Sequence, residues 1–362
     1  MENKKRGLLS ILSLIISIVF VLTACGTKAV ENTSAGANDS AKASSSASPA
    51  GGSADLKKVK IQLKWVPQAQ FAGIYVAKEK GFYKDEGIDA EIIPGGPDII
   101  IEQQVANGVA DLGITAVDSL LVNQDNGLPL VSVAQILQKS SNRLIAKKST
   151  GIDSPEKMKG KRIGSWMGSQ QFQVLAFLEK NGLNPKTDIQ LVKQGFTMDQ
   201  FFNDQLDVAS ASIYNEYHVV LENGYKESDL NVFNIDDAGV AMLEDTLIAK
   251  TDWLKSNREL AVKAVRATLK GWQYAIEHQD ETIDIIMKQV KSGSTTREHQ
   301  AKMLKEMAKL ILPDGFKPEQ IGSFQEDSFK RTADIAYKYH LIKKPADLSK
   351  VYDKSIWEDA MK

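Results

Sequence analysis

The pattern of hydrophobic and polar residues changes regularly between strand and helix spacing over residues 56–123. Apolar and polar side chains alternate over residues 59–65, as in a half-buried strand, and residues 71–81 carry apolar side chains at helical spacing. Further strands are predicted at 90–93 and 112–115, and further helices at 99–107 and 117–123. Strands that alternate with helices predict an α/β fold with a largely parallel sheet.

The same order of elements recurs between residues 161 and 222. Strands are predicted at 161–166, 189–192 and 207–211, and helices at 170–181, 198–204 and 214–222. Both first strands end in a tryptophan, Trp65 and Trp166, and Asp111 and Asp207 occupy matching places. We expect two similar α/β lobes. The alternative is that unrelated α/β segments follow the same order by chance.

The chain becomes mainly helical after residue 241. Apolar residues recur at spacings of three and four over residues 257–278, 297–311 and 323–339, with charged residues between them. Proline and glycine residues interrupt the pattern before the last of these segments. We expect these segments to be packing helices, and Trp357 in the final segment to dock on the first lobe.

The start of the chain differs in composition from the rest. Three cations at residues 4–6 precede an apolar run over residues 7–22, which is short for a membrane span and typical of an export signal. The run ends in Leu-Thr-Ala-Cys, which resembles the lipobox of bacterial lipoproteins. We expect a signal peptide at residues 1–24 and acylation of Cys25. The alternative is an uncleaved N-terminal anchor helix.

Residues 25–55 contain mainly serine, alanine, glycine, asparagine and threonine. Such a segment buries too little apolar surface to offset the entropy of ordering the chain. We therefore expect a flexible tether between a lipid anchor and the folded part. Because Cys25 is the only cysteine of the chain, the folded part can form no internal disulfide.

Charge and motifs argue against several classes of protein. The formal net charge is -1 at pH 7, and no basic cluster marks a nucleic-acid-binding face. The sequence contains no HExxH, GxSxG, Walker or strand-linked GxGxxG motif. Four histidines, His218, His278, His299 and His340, lack metal-ligand spacing and are expected to be surface or packing residues. We expect no nucleic-acid partner, no metal, no cofactor and no catalysis.

Two loops that follow predicted strands carry aromatic and amide side chains. The first contains Trp65, Gln68 and Gln70, and the second contains Trp166 and Gln170. Both loops lie between the end of a strand and the start of a helix, where open α/β sheets form ligand crevices. Tryptophan offers a flat face to an aromatic ring, and glutamine offers both a donor and an acceptor. We expect these residues to bind a neutral heterocycle. The alternative is that both tryptophans are packing residues.

Other candidate binding residues lie near the ends of other strands. Asp98 closes a Pro-Gly-Gly-Pro-Asp turn, where it contacts a ligand or caps the next helix. Thr115 ends the third predicted strand. Tyr214, Asn215 and Glu216 follow the last strand of the second lobe. The Glu216 carboxylate could accept hydrogen bonds from an amino-substituted ring, or it could be an exposed helical residue.

Four segments of the chain carry a family resemblance: LKWVPQAQFAGIYVAKEKGFYKDEGIDAEIIPGGPD, VANGVADLGIT, GSWMGSQQF and ASIYNEY. Through these segments the chain resembles bacterial solute-binding proteins for thiamine pyrimidine precursors and riboflavin. The wider family includes alkanesulfonate, taurine and nitrate binders. The resemblance implies a type II periplasmic-binding-protein fold, with two α/β lobes joined by two crossover segments. It implies that lobe 1 comprises residues 56–146 and 241–362, and that lobe 2 comprises residues 147–240.

The resemblance also implies the substrate-binding component of an ABC importer. We expect a monomer, lipid-anchored at the extracytoplasmic face of a bacterial membrane, that passes a small molecule to a permease and its ATPase. The segments WVPQAQFAG, PGGPD and YNEY look closer to the riboflavin binders, so the expected ligand is riboflavin or a thiamine pyrimidine precursor. An alkanesulfonate or taurine is the alternative, although a sulfonate favours helix N-termini with Ser, Thr or Arg donors.

An enzyme relative and a structural role must be weighed against binding. The eukaryotic synthase of the thiamine pyrimidine shares the implied fold, but it relies on an active-site histidine and a cysteine-rich motif. Here the first loop has two glutamines and no histidine, and no cysteine follows Cys25. We therefore expect a binder in which Trp65, Trp166 and Tyr214 enclose a ring. A lipoprotein without any ligand is the third class.

Overall fold

The structure, a computed structural model, describes residues 56–167 and 170–362. The predicted signal peptide, Cys25 and the tether lie outside the described residues. Gly168 and Ser169 of the second candidate loop lie outside them as well. What the sequence predicts for these parts stays a prediction.

The strands of the described chain form three sheets. They are β1 (Lys57–Gln62), β2 (Ile88–Ile93), β3 (Leu112–Thr115), β4 (Leu130–Gln135), β5 (Asn142–Lys147), β6 (Arg162–Ser165), β7 (Gln190–Lys193), β8 (Ala209–Ser212), β9 (Leu230–Asn234) and β10 (Thr246–Lys250). Lobe 1 is built on a five-stranded sheet in the order β2-β1-β3-β10-β4. Lobe 2 is built on the sheets β8-β5-β9 and β6-β7.

Helices cover the sheets, and two of them pack unusually closely. The helices are α1 (Ala72–Glu79), α2 (Phe82–Asp85), α3 (Ile101–Ala106), α4 (Val117–Asp125), α5 (Gln171–Lys180), α6 (Asp199–Phe202), α7 (Glu216–Glu222), α8 (Thr251–Ser256), α9 (Arg258–Glu277), α10 (Gln279–Met287), α11 (Arg297–Ile311), α12 (Glu326–Lys338), α13 (Leu348–Val351) and α14 (Lys354–Ala360). A Cβ atom on Gly271 of α9 would lie 2.0 Å from the Gly73 carbonyl oxygen of α1. Glycine is required here because no side chain fits between the two helices.

The sheets are mixed, so the prediction of a largely parallel sheet is wrong. β1 pairs in parallel with β2 and β3, and β6 pairs in parallel with β7. However, β10 is antiparallel to β3 and β4, and β5 is antiparallel to β8 and β9. The hydrophobic pattern did not predict β4, β5, β9 or β10. β4, for example, is buried at every position, so it lacks the alternation that marks a half-buried strand.

Each lobe contains the same unit of strand, helix, strand, helix and strand. In lobe 1 the Asp111 carboxylate accepts a hydrogen bond from the Lys60 backbone N–H at 2.8 Å. In lobe 2 the Asp207 carboxylate accepts one from the Arg162 backbone N–H, also at 2.8 Å. Both aspartates lie just before the third strand of their unit and join it to the first strand. Asp111 and Asp207, which correspond to each other in the sequence of the two units, therefore also occupy corresponding positions in the fold.

The chain passes between the lobes twice. It leaves lobe 1 after β4 and enters lobe 2 at β5, over residues 136–141, and it returns over residues 235–245. β5 pairs with β8 and β9, so the first passage ends before β5. Trp357 of α14 donates from Nε1 to the Ile321 carbonyl oxygen at 2.9 Å. Within the described residues, no helix is long and apolar enough to span a membrane.

Candidate ligand-binding site

A narrow cleft between the lobes brings most of the candidate residues together. Seven of them line it: Trp65, Gln68, Gln70, Trp166, Gln170, Tyr214 and Glu216. Lys64, Met167 and Ser212 complete its polar and sulfur-containing lining. These residues follow β1, β6 and β8 or lie at their ends, so the cleft opens at the carboxyl ends of the strands. Its volume is about 60 Å³.

Aromatic rings close the cleft. The ring centroids of Trp65 and Trp166 lie 6.3 Å apart, with an angle of 75° between the ring planes, so the two rings meet edge to face. Phe196, in the loop after β7, lies 5.0 Å from Trp65 and is 53% exposed. Trp166 also donates from Nε1 to the Gly195 carbonyl oxygen at 3.2 Å. The two tryptophans therefore contact each other directly, and a planar ligand requires them to move apart.

Amide groups in a fixed orientation form the lobe 1 wall. Gln68 donates from Nε2 to Gln70 Oε1 at 2.8 Å, and Gln70 donates from Nε2 to Asp245 Oδ2 at 2.9 Å. Asp245 also forms an ion pair with Lys64. All four side chains are buried. Because the oxygen of Gln70 accepts from Gln68, its nitrogen must face Asp245, and this chain of bonds fixes the orientation of both amides.

Charged groups lie buried beneath this wall. Burial alone lowers the pKa of Lys64, but the attraction of Asp245 and Glu244 outweighs it, so this pKa is raised. Burial raises the pKa of Asp118 to about 7, and the nearby Glu244 carboxylate adds to the effect. Lys64 is therefore a cation held among carboxylates. Asp118 gains and loses its proton near neutral pH.

Glu244 joins the passages between the lobes to the cleft. Its carboxylate accepts hydrogen bonds from Ser140 Oγ at 2.7 Å and from the Ser141 backbone N–H at 3.0 Å, both in the first passage. Gln170 and Gln173 each donate to it from Nε2 at 3.2 Å. Gln170 has a φ of 60°, the left-handed region that side chains other than glycine seldom adopt. One residue of the cleft lining therefore contacts the segment that connects the lobes.

The start of α7 forms the lobe 2 wall. The Glu216 carboxylate accepts hydrogen bonds from the Ser212 backbone N–H at 3.0 Å and from Asn215 Nδ2 at 2.7 Å. Burial raises the pKa of Glu216, and burial also raises the pKa of Tyr214 well above its usual value. Glu216 is 7% exposed, so its interpretation as an exposed helical residue is wrong. Asn215 lies behind this wall, where its side-chain oxygen contacts His299.

Besides Asn215, two more candidate residues, Asp98 and Thr115, lie outside the cleft lining. The Asp98 carboxylate is exposed and forms an ion pair with Lys193 of lobe 2. It does not cap α3, because the N-cap position is Ile100, which makes no side-chain capping bond. Thr115 lies deeper in lobe 1, where its buried hydroxyl donates to the Glu102 carboxylate.

Several residues that shape the cleft were not predicted from the sequence. Lys64 stands at a polar position of an alternating segment, so nothing local indicated that it would be buried. Glu244 and Asp245 precede a strand that the pattern did not predict, although two adjacent acidic residues before an apolar run were a usable signal. Phe196 lies in a loop, where its exposure gave no sign of its contact with Trp65.

The histidines do not form a metal centre. His278 and His340 are exposed and His218 is half-buried, as expected for surface or packing residues. His299 is buried and bonds to side chains from both of its ring nitrogens. Among residues 56–167 and 170–362, no group of three or more His, Cys, Asp or Glu side chains is arranged to hold a metal ion.

A family profile described as NMT1/THI5 like matches residues 68–282. The match covers more than half of the chain and includes almost all of the cleft lining. The chain belongs to the NMT1/THI5-like family. The match ends within α10, so the NMT1/THI5-like region lacks the C-terminal helices α11 to α14.

NMT1/THI5-like relatives include named binding proteins and named synthases. A formylaminopyrimidine-binding protein of Halalkalibacterium halodurans is 26% identical over 64% of this chain and 70% of its own length. The riboflavin-binding protein RibY of Chloroflexus aurantiacus is 29% identical over 76% of this chain and 77% of its own length. A 4-amino-5-hydroxymethyl-2-methylpyrimidine phosphate synthase of Saccharomyces cerevisiae is 27% identical over 60% of this chain and 67% of its own length.

Solved structures share the fold of this NMT1/THI5-like chain. The periplasmic aliphatic sulphonate binding protein SsuA of Escherichia coli superposes with a TM-score of 0.63 at 17% identity, over 82% of this chain and 92% of that one. A ligand binding component of an ABC-type import system from Staphylococcus aureus gives a TM-score of 0.63 at 12% identity, over 84% of this chain and 99% of that one. The chain therefore has the periplasmic-binding-protein fold, as predicted.

Proposed function

We propose that this protein is the extracytoplasmic substrate-binding component of an ABC importer. Its ligand is an aromatic heterocyclic vitamin or precursor, either riboflavin or a thiamine pyrimidine precursor. The observation that carries this proposal is the cleft in which Trp65 and Trp166 meet beside a wall of buried glutamines. Relatives named for binding formylaminopyrimidine and riboflavin support this class of ligand.

Ligand entry requires the two tryptophans to separate. Carbon atoms in contact lie about 3.5 to 4.0 Å apart, so a ring between two aromatic faces needs roughly 7 Å. The present separation of 6.3 Å, with the rings edge to face, is smaller. Movement of the lobes about the connecting segments supplies the additional space. When the lobes close, the Gln68 and Gln70 amides and the Glu216 carboxyl address the polar edge of the ring.

The charges of the cleft favour a neutral ring over a sulfonate. A sulfonate anion would meet the Glu216 carboxyl on one wall. On the other wall Lys64 is already paired with Asp245. An anion buried among carboxylates without a free cation is strongly disfavoured. We therefore rank an alkanesulfonate or taurine second, even though a sulphonate-binding protein shares the fold.

Several features outside the cleft complete the proposal. The protein binds without turnover, since its only cysteine is Cys25 and no histidine lines the cleft. Cys25 is acylated and becomes the N-terminus of the mature protein, and residues 25–55 tether a monomer near its permease and ATPase. Substitution Cys25→Ser is expected to release the protein from the membrane fraction. Wild-type protein that is already found in the soluble fraction would contradict the anchor.

A thermal-shift screen tests the class of ligand. The chain carrying Cys25→Ser, which cannot be acylated, is heated with riboflavin, thiamine, its aminopyrimidine precursors, taurine or alkanesulfonates. A ligand at a hundred times its Kd raises the free energy of unfolding by about 2.7 kcal/mol. We expect a shift with riboflavin or a pyrimidine alone, and recovery of that compound unchanged. A shift with a sulfonate alone overturns the proposal, and conversion of the compound indicates an enzyme.

A further inference from the structure

His299 connects the two lobes beside the ligand cleft. It lies on α11, whose apolar side chains pack into the core of lobe 1, and it is only 6% exposed. Its Nδ1 lies 2.9 Å from Glu222 Oε2, and its Nε2 lies 2.9 Å from Asn215 Oδ1. Glu222 ends α7 and Asn215 is the N-cap of α7. One ring of lobe 1 therefore contacts both ends of a lobe 2 helix.

Both partners of the His299 ring are hydrogen-bond acceptors. Burial alone raises the pKa of Glu222, but Lys302 and His299 outweigh this effect and lower it, so Glu222 is a carboxylate. The Asn215 amide donates from Nδ2 to Glu216 Oε1 at 2.7 Å, and its oxygen therefore faces His299. A ring whose two nitrogens both face acceptors makes both hydrogen bonds only when each nitrogen carries a proton.

Loss of one ring proton breaks this arrangement. A bare Nε2 would face Asn215 Oδ1, so two lone pairs would meet at 2.9 Å. Rotation of the Asn215 amide would restore a hydrogen bond to the ring, but it would turn Oδ1 toward the Glu216 carboxylate. That contact is favourable only if Glu216 takes up a proton. These hydrogen bonds of Asn215 are therefore both satisfied when the His299 ring carries both protons and Glu216 is an ionised carboxylate.

We propose that protonated His299 is a positioning residue for the ligand site. It orients Asn215, and through Asn215 it holds the Glu216 carboxyl in the cleft wall while it joins the lobes. This inference rests on the proposed function, since Glu216 acts here as part of a ligand site. Closure on a ligand and a proton on each nitrogen of His299 favour each other, so binding weakens when the ring lacks one of these protons.

Other titratable groups face the His299 ring from both helices. Glu222 of α7 contacts the ring directly and pairs with Lys302 of α11, while His218 of α7 lies near His299 and is also influenced by Glu306 of α11. Burial lowers the pKa of His218, so this neighbour is uncharged at neutral pH. Lys302 lies 3.0 Å from Glu222 and offsets part of its charge. The pH dependence of affinity is assigned to His299, and substitutions separate it from contributions of His218 and of Asp118, whose pKa of about 7 lies in the same pH range.

Nitrogen NMR of the histidine side chains tests the ring without any ligand. The chain has four histidines, and substitution His299→Gln identifies the signals of this one. At pH 6 we expect two N–H signals from His299 that exchange slowly with water, because both protons are buried and hydrogen-bonded. A single N–H on His299 at this pH overturns the proposal, whatever the ligand is.

Riboflavin binding, followed by the quenching of its fluorescence, tests the effect on the site. Between pH 6 and pH 8.5 we expect the affinity of the wild type to fall at least fivefold. The His299→Gln variant should bind at least fivefold more weakly at pH 6 and show little further change. The control His278→Gln removes an exposed histidine and should follow the wild type, and His218→Gln should do the same.

Several outcomes contradict the proposal. The same pH dependence in wild type and in His299→Gln overturns it, provided that circular dichroism shows the variant to be folded. If His218→Gln loses the pH dependence of affinity instead, then His218 and not His299 controls it, and the proposal is wrong. If the wild type binds no riboflavin at any pH, that ligand is wrong for the proposed function. The NMR result then decides the role of His299 by itself.

Discussion

At the scale of single residues, burial determines what each polar side chain of the cleft can do. Gln68 and Gln70 are buried in a chain of bonds that ends on Asp245, so their amides are oriented before a ligand arrives. Their presence after a strand could be predicted, because a loop between strand and helix is a local feature. Their pairing with Asp245 could not, because Asp245 lies far along the chain and comes close only through the fold.

Trp65 is the residue whose substitution best separates binding from stability. It is half-buried, and its ring lies against Trp166 and Phe196. Stacking of a heterocycle on an aromatic side chain contributes about 1 to 3 kcal/mol. We therefore expect Trp65→Ala to weaken binding of the heterocycle by about tenfold or more. Isothermal titration with the compound identified by thermal shift measures this change.

Trp357→Ala is the matched control for this prediction. Trp357 is also half-buried, but it joins α14 to Ile321 away from the cleft. Its substitution should lower the melting temperature and leave the Kd unchanged. If Trp65→Ala leaves the Kd unchanged instead, the ring is a packing residue and does not belong to the site.

Asp118 should give the protein a component of stability that decreases with pH. Its pKa of about 7 in the folded protein lies above the value near 4 that aspartate has in unfolded chains. The folded state therefore binds the proton more tightly, and this stabilisation is complete below about pH 4 and lost as the pH rises through about 7. Asp118→Asn removes this dependence of stability on pH. Between pH 5 and pH 8 its free energy of unfolding should therefore rise by about 1 to 3 kcal/mol relative to that of the wild type.

Urea unfolding at several pH values measures this difference. The control is Asp89→Asn, which removes an exposed carboxylate of β2 and should follow the wild type at every pH. If the free energies of unfolding of Asp118→Asn and wild type differ by the same amount from pH 5 to pH 8, Asp118 is ionised throughout this range and the prediction is wrong.

At the scale of elements, the order of strands and helices in each repeated unit could be predicted. β3 and α11 have the predicted bounds, because their hydrophobic periodicity is strong and their ends carry clear signals. Strands β4 and β10 were missed because they are buried on both faces and do not alternate. A fully buried strand has no polar face, so its sequence resembles that of a buried helix.

The turn between β2 and α3 positions the first candidate loop. The Gly95 backbone N–H donates to the Trp65 carbonyl oxygen at 2.9 Å, and a Cβ at Gly95 would lie 2.1 Å from the Leu63 carbonyl oxygen. Gly95→Ala must push the turn away from the backbone of Trp65. We expect a loss of about 1 to 3 kcal/mol in the free energy of unfolding, together with weaker ligand binding.

The neighbouring glycine offers a matched control. A Cβ at Gly96 would lie 3.0 Å from Cζ of Phe196, whose exposed side chain can rotate away. Gly96→Ala should therefore unfold at nearly the same urea concentration as wild type. Equal effects of the two substitutions would mean that the backbone contact at Gly95 does not hold the loop in place.

At the scale of the whole molecule, two lobes share one buried connection. Glu244 lies in the second passage between the lobes and accepts bonds from the first passage and from α5. Gln170 connects the same carboxylate to the cleft. Separation of the lobes on ligand release must therefore occur around a fixed group of bonds. A chain that passes twice through one small region can bend there without exposing much apolar surface.

Substitution Glu244→Gln tests how much this buried carboxylate stabilises the molecule. One oxygen of Glu244 accepts from Ser140 and Ser141, and the other accepts from Ser141 Oγ at 2.5 Å and from Gln170 at 3.2 Å. A glutamine of the same shape keeps a single oxygen and directs its N–H groups at donors, so at least one buried donor loses its partner. Each such loss costs about 1 to 3 kcal/mol, and we expect a decrease of about 2 to 4 kcal/mol in the free energy of unfolding. Glu306→Gln, which removes a more exposed carboxylate that forms an ion pair with Lys309, should change stability by less than about 0.5 kcal/mol. If both variants unfold at the same urea concentration, Glu244 does not hold the passages together, and the lobes must be joined by their apolar contacts instead.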